Sequence, residues 1–434
     1  MDQHGPESSI LTPNDQAECI FIVIPSIVAQ HAEEASFLVG QRTAAVSAPH
    51  YSLKDLARLD LRLLAHLDGL HIAGEEGEKA SNLLASEKED GSTFVAAWLA
   101  FAADKIKPID TLFVPSGNIP NFVEEVNAAL GWFPFEKVRE IVSSSLSASA
   151  PPVRAIGLIG SALYGQDPGS ALADAFESPE VTLRSSAARA AGFLRRRDLL
   201  WRLYDALEDQ DEVCRYRAAW ALSLNGDPRP LTDALLRMKL REPVRREALD
   251  LILRNEDPTN VRVFVEKLSG KGDLMRDRIM AAAAAGDPAS VPWLFEQMLV
   301  PELARIAGES FSTITGLNIS LEDLDVLAPA GFQAGPVDDP EDEKVEMDPD
   351  ENLPWPDVDA VMGWWRVHEP KLTPGSRYLL GKPITTEWLR QVLRIGRQRH
   401  RASAAVEIAK RMPGDRIFDV NSPGFTQQEL LGTS

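Results

Sequence analysis

The chain has 434 residues, of which 44% are hydrophobic and 25% are charged, so it has the composition of a folded protein longer than one typical domain. Its formal net charge of −20 disfavours nucleic acid as a partner, because a net anion would have to approach a polyanion. The N-terminal sequence lacks the basic start and apolar core of a secretory signal, and the apolar run Cys19–Val28 is too short to cross a bilayer. We therefore expect a cytoplasmic protein. Cys19 and Cys214 match no disulfide or metal spacing, so we expect both to be small buried residues.

Residues 1–133 predict an α-helical head domain. From Ser52 onward, leucines recur at spacings of three and four, which builds one apolar stripe on a helix. Ser52 is a candidate N-cap with Asp55 three residues later, an approximate capping box. A second apolar helix is predicted over Thr93–Ala103, and the acidic, glycine-bearing stretch 74–91 is predicted to contain a loop.

Residues 134–320 contain an Asp-Pro dipeptide that returns at multiples of about thirty residues, which predicts about six stacked helix pairs. Aspartate suits the N-cap of a helix, and proline suits its first position. The second unit departs from the pattern at Arg197-Asp198, which predicts a longer preceding helix through Arg195–Arg197. The dipeptides are Asp167-Pro168, Asp227-Pro228, Asp257-Pro258 and Asp287-Pro288. The predicted pairs are Phe135–Leu146 with Val153–Leu163, Pro168–Phe176 with Val181–Leu194, Leu199–Leu207 with Val213–Leu224, Pro228–Met238 with Val244–Leu253, Pro258–Leu268 with Leu274–Ala285, and Pro288–Leu299 with Glu302–Ile314.

An arginine lies near the start of each second helix. We interpret these arginines as a structural ladder of hydrogen bonds to carboxylates and helix ends, with a ligand-binding concave face as the alternative. They are Arg154, Arg184, Arg215, Arg245, Arg276 and Arg305.

The Asp-Pro turns, the Val-Arg openings at Val153-Arg154 and Val244-Arg245, and the alanine-rich second helices resemble the HEAT-repeat class. The resemblance is to its short form of about thirty residues, seen in phycobilin-lyase-like proteins. It covers roughly residues 134–318. It implies an α-solenoid and no activity. With the helical N-terminal head and a small C-terminal cap expected from the flanking residues, we predict an all-α fold.

Residues 321–359 form an acidic, proline-rich linker that we expect to be disordered or extended. Residues 360–434 form a basic, tryptophan-containing C-terminal segment. We favour pairing of its charges within the molecule or between subunits; an acidic protein partner, nucleic acid and a solvated face are the alternatives. The candidate partner-binding residues are Arg390, Arg394, Arg397, Arg399, Arg401, Trp364, Trp365 and Trp388.

Histidines in the head are the candidates for chemistry. His31 and Glu34 are three residues apart on a predicted helix, but a di-iron bundle would need a second motif and further carboxylates. His66 and His71 lie near a helix end and lack a recognisable nucleophile or metal partner. We predict helix packing and capping for all of them, and no catalytic, cofactor-binding or metal-binding residue.

The chain as a whole resembles a family of proteobacterial proteins often encoded beside components and effectors of type VI secretion systems. The resemblance rests on QHAEEASFLVGQR and APHYSLKDLARLDLRLLAHLDGL in the head, on the repeats, and on WPDVDAVMGWWR, GSRYLLGKP and RQRHRASAAVEIA in the tail. It implies a non-enzymatic protein-binding scaffold, an accessory adaptor or chaperone whose protein partner is a secretion effector or a toxin. The alternatives are an immunity protein that occludes a toxin, a lyase or isomerase on a HEAT scaffold, and a nucleic-acid binder.

Overall fold

The computed structural model describes residues 23–103, 109, 119–241, 243–256, 258–267, 274–335, 347–412 and 416–433. These residues are mostly α-helical, as predicted, and their strands form two short antiparallel pairs. Among the described helices, none is both long enough and apolar enough to cross a membrane. Cys19, Asp257 and residues 336–346 of the predicted linker lie outside the described residues.

Five helices form the N-terminal part of the described chain. They are α1 (Pro25–Ala45), α2 (Leu53–Ile72), α3 (Glu75–Glu87), α4 (Ser92–Ala102) and α5 (Ile119–Leu130). The capping box of α2 is confirmed, because the Ser52 hydroxyl accepts from the Asp55 amide and the Asp55 carboxylate accepts from the Ser52 amide. The predicted second apolar helix is also confirmed, as α4.

The loop predicted within 74–91 is confirmed at residues 88–91, and most of the stretch before it forms α3. Three glutamates lie in the first turn of α3, where their negative charge stabilises the helix by interacting with the positive end of its dipole. Gly77 allows α3 to touch α2, since a Cβ atom there would lie 2.0 Å from the Leu70 carbonyl oxygen. Gly77 is therefore a close-packing position within a helix, whereas Gly74 and Gly91 lie at helix starts.

Twelve helices follow, and they occur in the six predicted pairs. The first helices of the pairs are α6 (Phe135–Leu146), α8 (Ser170–Ala175), α10 (Leu200–Asp205), α12 (Arg229–Arg237), α14 (Pro258–Lys267) and α16 (Val291–Met298). The second helices are α7 (Pro151–Tyr164), α9 (Val181–Phe193), α11 (Glu212–Leu224), α13 (Val244–Asn255), α15 (Met275–Ala285) and α17 (Pro301–Thr315). Each second helix packs on the next one along the chain, and α5 packs on α7.

The predicted N-cap is confirmed at Asp287, which caps the short 3-10 helix Pro288–Ser290 before α16. It is wrong at Asp167 and Asp227, because α8 and α12 begin later, with Gly169 and Pro228 at their N-caps. The carboxylates of Asp167, Asp227 and Asp287 each accept a hydrogen bond from the amide two residues later, at 3.0, 3.2 and 2.9 Å. A glycine with a left-handed backbone follows the preceding second helix at each of these three turns. The φ angles of Gly165, Gly226 and Gly286 are +67°, +101° and +67°. A residue with a left-handed backbone at this position ends a helix, and the chain can then turn toward the next one.

The longer helix predicted through Arg195–Arg197 is wrong. Helix α9 ends at Phe193, and Arg195 adopts the left-handed conformation that glycine has in other units, with φ of +51°. An arginine there costs about 1–2 kcal/mol of backbone energy. Its guanidinium donates to the carbonyl oxygens of Leu224, at 2.6 Å, and Ala409, at 2.7 Å. These bonds join neighbouring second helices to the C-terminal segment.

The C-terminal segment crosses the stack and returns to the head. Its elements are β2 (Trp355–Pro356), which pairs with β1 (Asp325–Val326), α18 (Val358–His368), the hairpin of β3 (Tyr378–Leu379) and β4 (Lys382–Pro383), α19 (Thr386–Ile395), α20 (Gln398–Arg411) and α21 (Gly424–Leu431). Helix α18 contacts α16, α20 contacts α13, and α21 contacts α2. One continuous apolar core runs from Val28 in the head to Tyr378, and a smaller one lies under α19 and α20.

Candidate functional site

The predicted partner-binding arginines lie mainly against the protein itself. Arg401 is fully buried and donates to the Leu393 carbonyl oxygen at 2.7 Å and to the side-chain oxygens of Gln398 and Gln427. Burial lowers the pKa of Arg401 to about 10. Arg399 donates to both carboxylate oxygens of Glu309, at 2.7 and 2.8 Å, and to the Ser47 carbonyl oxygen.

The remaining three arginines differ in exposure. Arg394 donates to the Leu431 carbonyl oxygen at 2.9 Å, and Arg397 donates to the His50 carbonyl oxygen. Arg390 is exposed. The other seven predicted residues, all of which are described, are buried or partly buried.

The three tryptophans of the set hold the segment in place. Trp364 and Trp365 pack edge-on against Phe311 of α17, with ring centroids 6.0 and 5.9 Å apart. The Trp388 indole donates to the Leu379 carbonyl oxygen at 2.7 Å. Their aromatic surface is therefore used for packing within the chain.

The basic C-terminal segment, residues 360–434, which we call the basic tail, donates hydrogen bonds to the C-terminal ends of the second helices. Lys410 donates to the Arg254 carbonyl oxygen at 2.6 Å, and Arg416 donates to the Ala162 carbonyl oxygen at 3.2 Å. The Tyr378 amide donates to the Gly286 carbonyl oxygen at 2.9 Å. The last carbonyl groups of a helix lack partners within it and form the negative end of its dipole. The positive charge of the tail is thus matched by the helix ends that it crosses.

Glu407 of α20 is the centre of a buried charge cluster. It is fully buried and lies 3.3 Å from Arg254 and 3.4 Å from Arg377, and it also pairs with Arg411. Burial alone would raise the pKa of Glu407, but the arginines outweigh it and hold the pKa below its ordinary value. The intramolecular pairing that we favoured for this helix is confirmed at these residues.

Each of the six arginines bonds to a carboxylate or a backbone carbonyl group within the chain, and the predicted bond to the next unit is confirmed at Arg184 and Arg245. In three successive units, Arg154, Arg184 and Arg215 each donate to the two carbonyl oxygens five and six residues earlier. Arg184 also binds Asp209, and Arg245 binds Asp277, each at 2.7 Å. The guanidinium fork therefore fixes the turn before its own helix, the next unit, or both.

Arg276 and Arg305, the last two of the six arginines, bind residues of the predicted acidic linker. Arg276 pairs with Asp350 at 2.6 Å, and Arg305 pairs with Asp348 at 2.6 Å and donates to the Asp350 carbonyl oxygen. Asp350 is buried. Residues 347–357 therefore form a strip docked on the last helix pairs. Its two carboxylates bind Arg276 and Arg305 in the way that a carboxylate of the next unit binds Arg184 and Arg245.

The stack carries an exposed aromatic surface at its irregular unit. Trp201 of α10 is 56% exposed, and the Arg202 guanidinium lies 4.4 Å from its ring centroid. A groove of about 280 Å³, which we call the acidic groove, lies beside Arg202. It is lined by Phe176, Glu177, Arg184, Arg202, Asp205, Ala206, Glu208, Asp209 and Cys214.

The charges of the acidic groove are not balanced. Arg184 pairs with Asp209 and Arg202 pairs with Glu177, whereas Asp205 and Glu208 form no ion pair with any described residue. Burial raises the pKa of the Cys214 thiol to about 12, so this cysteine stays protonated at neutral pH. The groove therefore offers negative charge beside an exposed indole.

The histidines of the head form a helix contact. His31 of α1 and His66 of α2 approach within 3.1 Å at their Nδ1 atoms, and a Cβ atom at Gly69 would lie 3.2 Å from the His31 ring. Burial and the neighbouring His31 lower the pKa of His66. Across the residues described, no group of three or more His, Cys, Asp or Glu side chains is placed to hold a metal ion.

Comparisons with protein-family models, with curated proteins and with solved structures found no match to this chain.

Proposed function

We propose that the six helix pairs form a HEAT-like α-solenoid that serves as a non-enzymatic, cytoplasmic protein-binding scaffold, an adaptor or chaperone for secretion effectors. Exposed Trp201 beside the acidic groove is the observation that carries the proposal. Tryptophan, tyrosine and arginine dominate the binding energy of protein interfaces. Trp201, Arg202 and the half-exposed Tyr204 bring all three together on one short helix.

The partner surface that fits is a basic segment carrying an apolar side chain. The apolar side chain would cover Trp201, and the basic groups would approach Asp205 and Glu208, which no described cation neutralises. Under this proposal seven of the eight predicted residues, all except the exposed Arg390, hold the scaffold together, and the docking surface lies at α10 and the acidic groove.

Copurification from the native cell tests the docking surface. Trp201→Ala removes the indole at little cost to folding, because the ring is exposed. Phe37→Ala is the matched control, since it removes another exposed aromatic ring, from α1. We expect wild type and the control to retain the same basic protein at moderate salt, and Trp201→Ala to lose it. Equal retention by all three proteins, or no retained protein, would overturn the proposal.

The unbalanced carboxylates also favour a second candidate, an immunity protein that occludes a basic toxin. The adaptor and immunity functions can be separated by deleting the gene together with its neighbours and then restoring the neighbours alone. Toxicity that only the wild-type gene suppresses would identify the immunity role. An adaptor instead predicts normal growth and loss of effector export.

A further inference from the structure

A separate cavity of about 580 Å³ lies between the head, the first helix pairs and the basic tail. Its walls come from α1, α4, α5, α7, α9 and residues 416–423. This volume is in the range of small-molecule sites, which are mostly apolar and carry a few convergent polar groups. Aromatic and aliphatic side chains form much of the wall, among them Phe94, Trp132, Ile159, Leu163 and Phe193.

Two arginines meet on the side of this cavity that the repeats form. Arg189 of α9 lines the cavity, and Arg217 of α11 approaches the same lining residue, Glu124 of α5. Arg189 donates to Glu124 Oε1, whereas Arg217 Nη2 lies 3.9 Å from that oxygen. A single carboxylate oxygen therefore brings both guanidinium groups together. Neither arginine is one of the six that bond to the helix turns and neighbouring units.

Most N–H groups of this arginine pair have no acceptor among the described residues. Apart from the bond between Arg189 and Glu124, neither side chain forms a hydrogen bond with a residue that the structure describes, and a guanidinium carries five N–H donors. The side chains of Arg189 and Arg217 are 23% and 26% exposed. Their nitrogen atoms without a partner are accessible to solvent. A ligand can therefore reach open donors on both side chains.

The pair also keeps positive charge that its surroundings do not balance. Glu124 is shared by both arginines and its side chain is 49% exposed. Glu247 attracts Arg217 from α13, but it forms no ion pair with either arginine, and its carboxylate accepts from the Trp220 indole at 2.9 Å. Burial lowers the pKa of Arg217, and repulsion from Arg189 lowers it further. An anion placed between the two guanidinium groups would relieve that repulsion.

The remaining charges of the lining restrict the anion to a single negative charge. The carboxylates of Asp90, Glu125 and Asp419 also line the cavity, and they would repel a dianion such as a phosphate monoester. Arg42 and Arg416, the other arginines of the lining, bond to acceptors within the chain. A carboxylate fits these conditions, because it carries one charge and its two oxygens match the fork of a guanidinium.

We propose that this cavity binds a small carboxylic acid in its anionic form, carried on an apolar body. The carboxylate lies between Arg189 and Arg217 and accepts from their open donors. The apolar body lies against Trp132 and against Phe193, whose ring centroid is 5.6 Å from the guanidinium carbon of Arg189. A free acid and the C-terminal carboxylate of a peptide share this chemistry. The site is separate from the acidic groove, with which it shares no lining residue.

Calorimetric titration of the full chain with matched probes tests the charge and the apolar requirement. The carboxylate 4-phenylbutyrate, the neutral 4-phenylbutanol and the cation 4-phenylbutylamine share one apolar body, and acetate lacks that body. We expect 4-phenylbutyrate to bind at least about tenfold more tightly than each of the other three, a difference of about 1.4 kcal/mol. Equal binding of the acid and the alcohol, or no binding of the acid, would overturn the proposal.

A short peptide that ends in phenylalanine, compared with its C-terminally amidated version, identifies the source of the carboxylate. Binding of the free-carboxyl peptide as tight as that of 4-phenylbutyrate supports a peptide C-terminus as the ligand. Binding of the small acid alone supports a free acid.

Variants of the arginine pair locate the site. Arg217→Gln removes a guanidinium that makes no hydrogen bond with a described residue, so we expect the fold to persist and 4-phenylbutyrate to bind at least about tenfold more weakly. Arg217→Lys keeps the charge but loses the fork, and it should weaken binding about three- to tenfold if Arg217→Gln does not fold. Arg139→Gln is the matched control, because Arg139 is exposed on α6 and lies over the Phe135 ring at 5.2 Å, away from the cavity lining.

Glu124→Gln separates a binding role of the arginines from a structural one. The carboxylate of Glu124 competes with the ligand for both guanidinium groups, so its removal should tighten binding of 4-phenylbutyrate about threefold. A network that serves stability alone would lose stability in this variant without any gain in affinity. Wild-type affinity in Arg217→Gln, equal weakening in Arg139→Gln, or weaker binding in Glu124→Gln would overturn the proposal.

Discussion

At the scale of single residues, the basic side chains of the tail have two different environments that their sequence positions do not separate. Arg390 and Arg401 lie on consecutive helices of one basic region, yet the first is exposed and the second is fully buried among amide and carbonyl oxygens. A buried guanidinium is tolerated when each of its donors finds an acceptor.

Replacing Arg401 by methionine should therefore destabilise the protein by about 2–4 kcal/mol. The change leaves Gln398 and Gln427 without their donor, and unpartnered buried groups cost about 1–3 kcal/mol each, partly offset by removal of a buried charge. Urea unfolding measures the effect. Arg390→Met is the control and should stay within about 0.5 kcal/mol of wild type. Similar losses in both variants would contradict the buried network.

At the scale of elements, glycines that end the second helices have a second role where the tail crosses them. A Cβ atom at Gly286 would lie 2.3 Å from the Tyr378 carbonyl oxygen, and one at Gly316 would lie 2.7 Å from the Leu380 carbonyl oxygen. Gly226 has the same left-handed backbone, but no atom lies within 4 Å of its Cβ position. The backbone of the tail at Tyr378 and Leu380 thus packs where a side chain at Gly286 or Gly316 would otherwise lie.

The pair Gly286→Ala and Gly226→Ala separates backbone strain from this contact. Both variants pay for a left-handed alanine, about 1–2 kcal/mol. Gly286→Ala must also displace β3, and we expect a further loss of about 1–3 kcal/mol. Thermal unfolding of the two variants under the same conditions gives the difference. Equal losses would mean that β3 does not rest on Gly286 in solution.

At the scale of the whole molecule, the tail joins the two ends of the chain. Arg399 contacts the carbonyl oxygen of Ser47 in the head and the carboxylate of Glu309 in α17. Asp60 of α2 accepts from the Gly424 amide at 2.6 Å, so α21 is fastened to the head as well. Together with the continuous core, these bonds predict that head, repeats and tail unfold together.

Arg399→Ala should cost about 2–4 kcal/mol, because it removes one partner of a buried carboxylate that retains Arg246 at 3.3 Å. It should also separate the unfolding transitions seen by circular dichroism and by tryptophan fluorescence, which we expect to coincide in wild type. Arg397→Ala is the control: its pair with Asp55 spans 3.8 Å and is about 40% exposed on both sides, so we expect a loss below about 1 kcal/mol. Coincident transitions in Arg399→Ala would contradict the conclusion that Arg399 joins the head to α17.

The helix pairs, the cap at Asp287 and the internal bonding of the repeat arginines could be predicted from the sequence, because each depends on residues a few positions apart or on a repeat of about thirty residues. Helix α3 and the left-handed Arg195 could not, since a close approach to Leu70 and bonds to Leu224 and Ala409 decide them. The same holds for the cavity, the docked acidic strip and the burial of the tail arginines. Local sequence determined that the middle of the chain consists of paired helices and about where each helix lies. Only the tertiary structure decided which helix ends and carboxylates meet the basic tail, because those partners lie up to several hundred residues away in the chain.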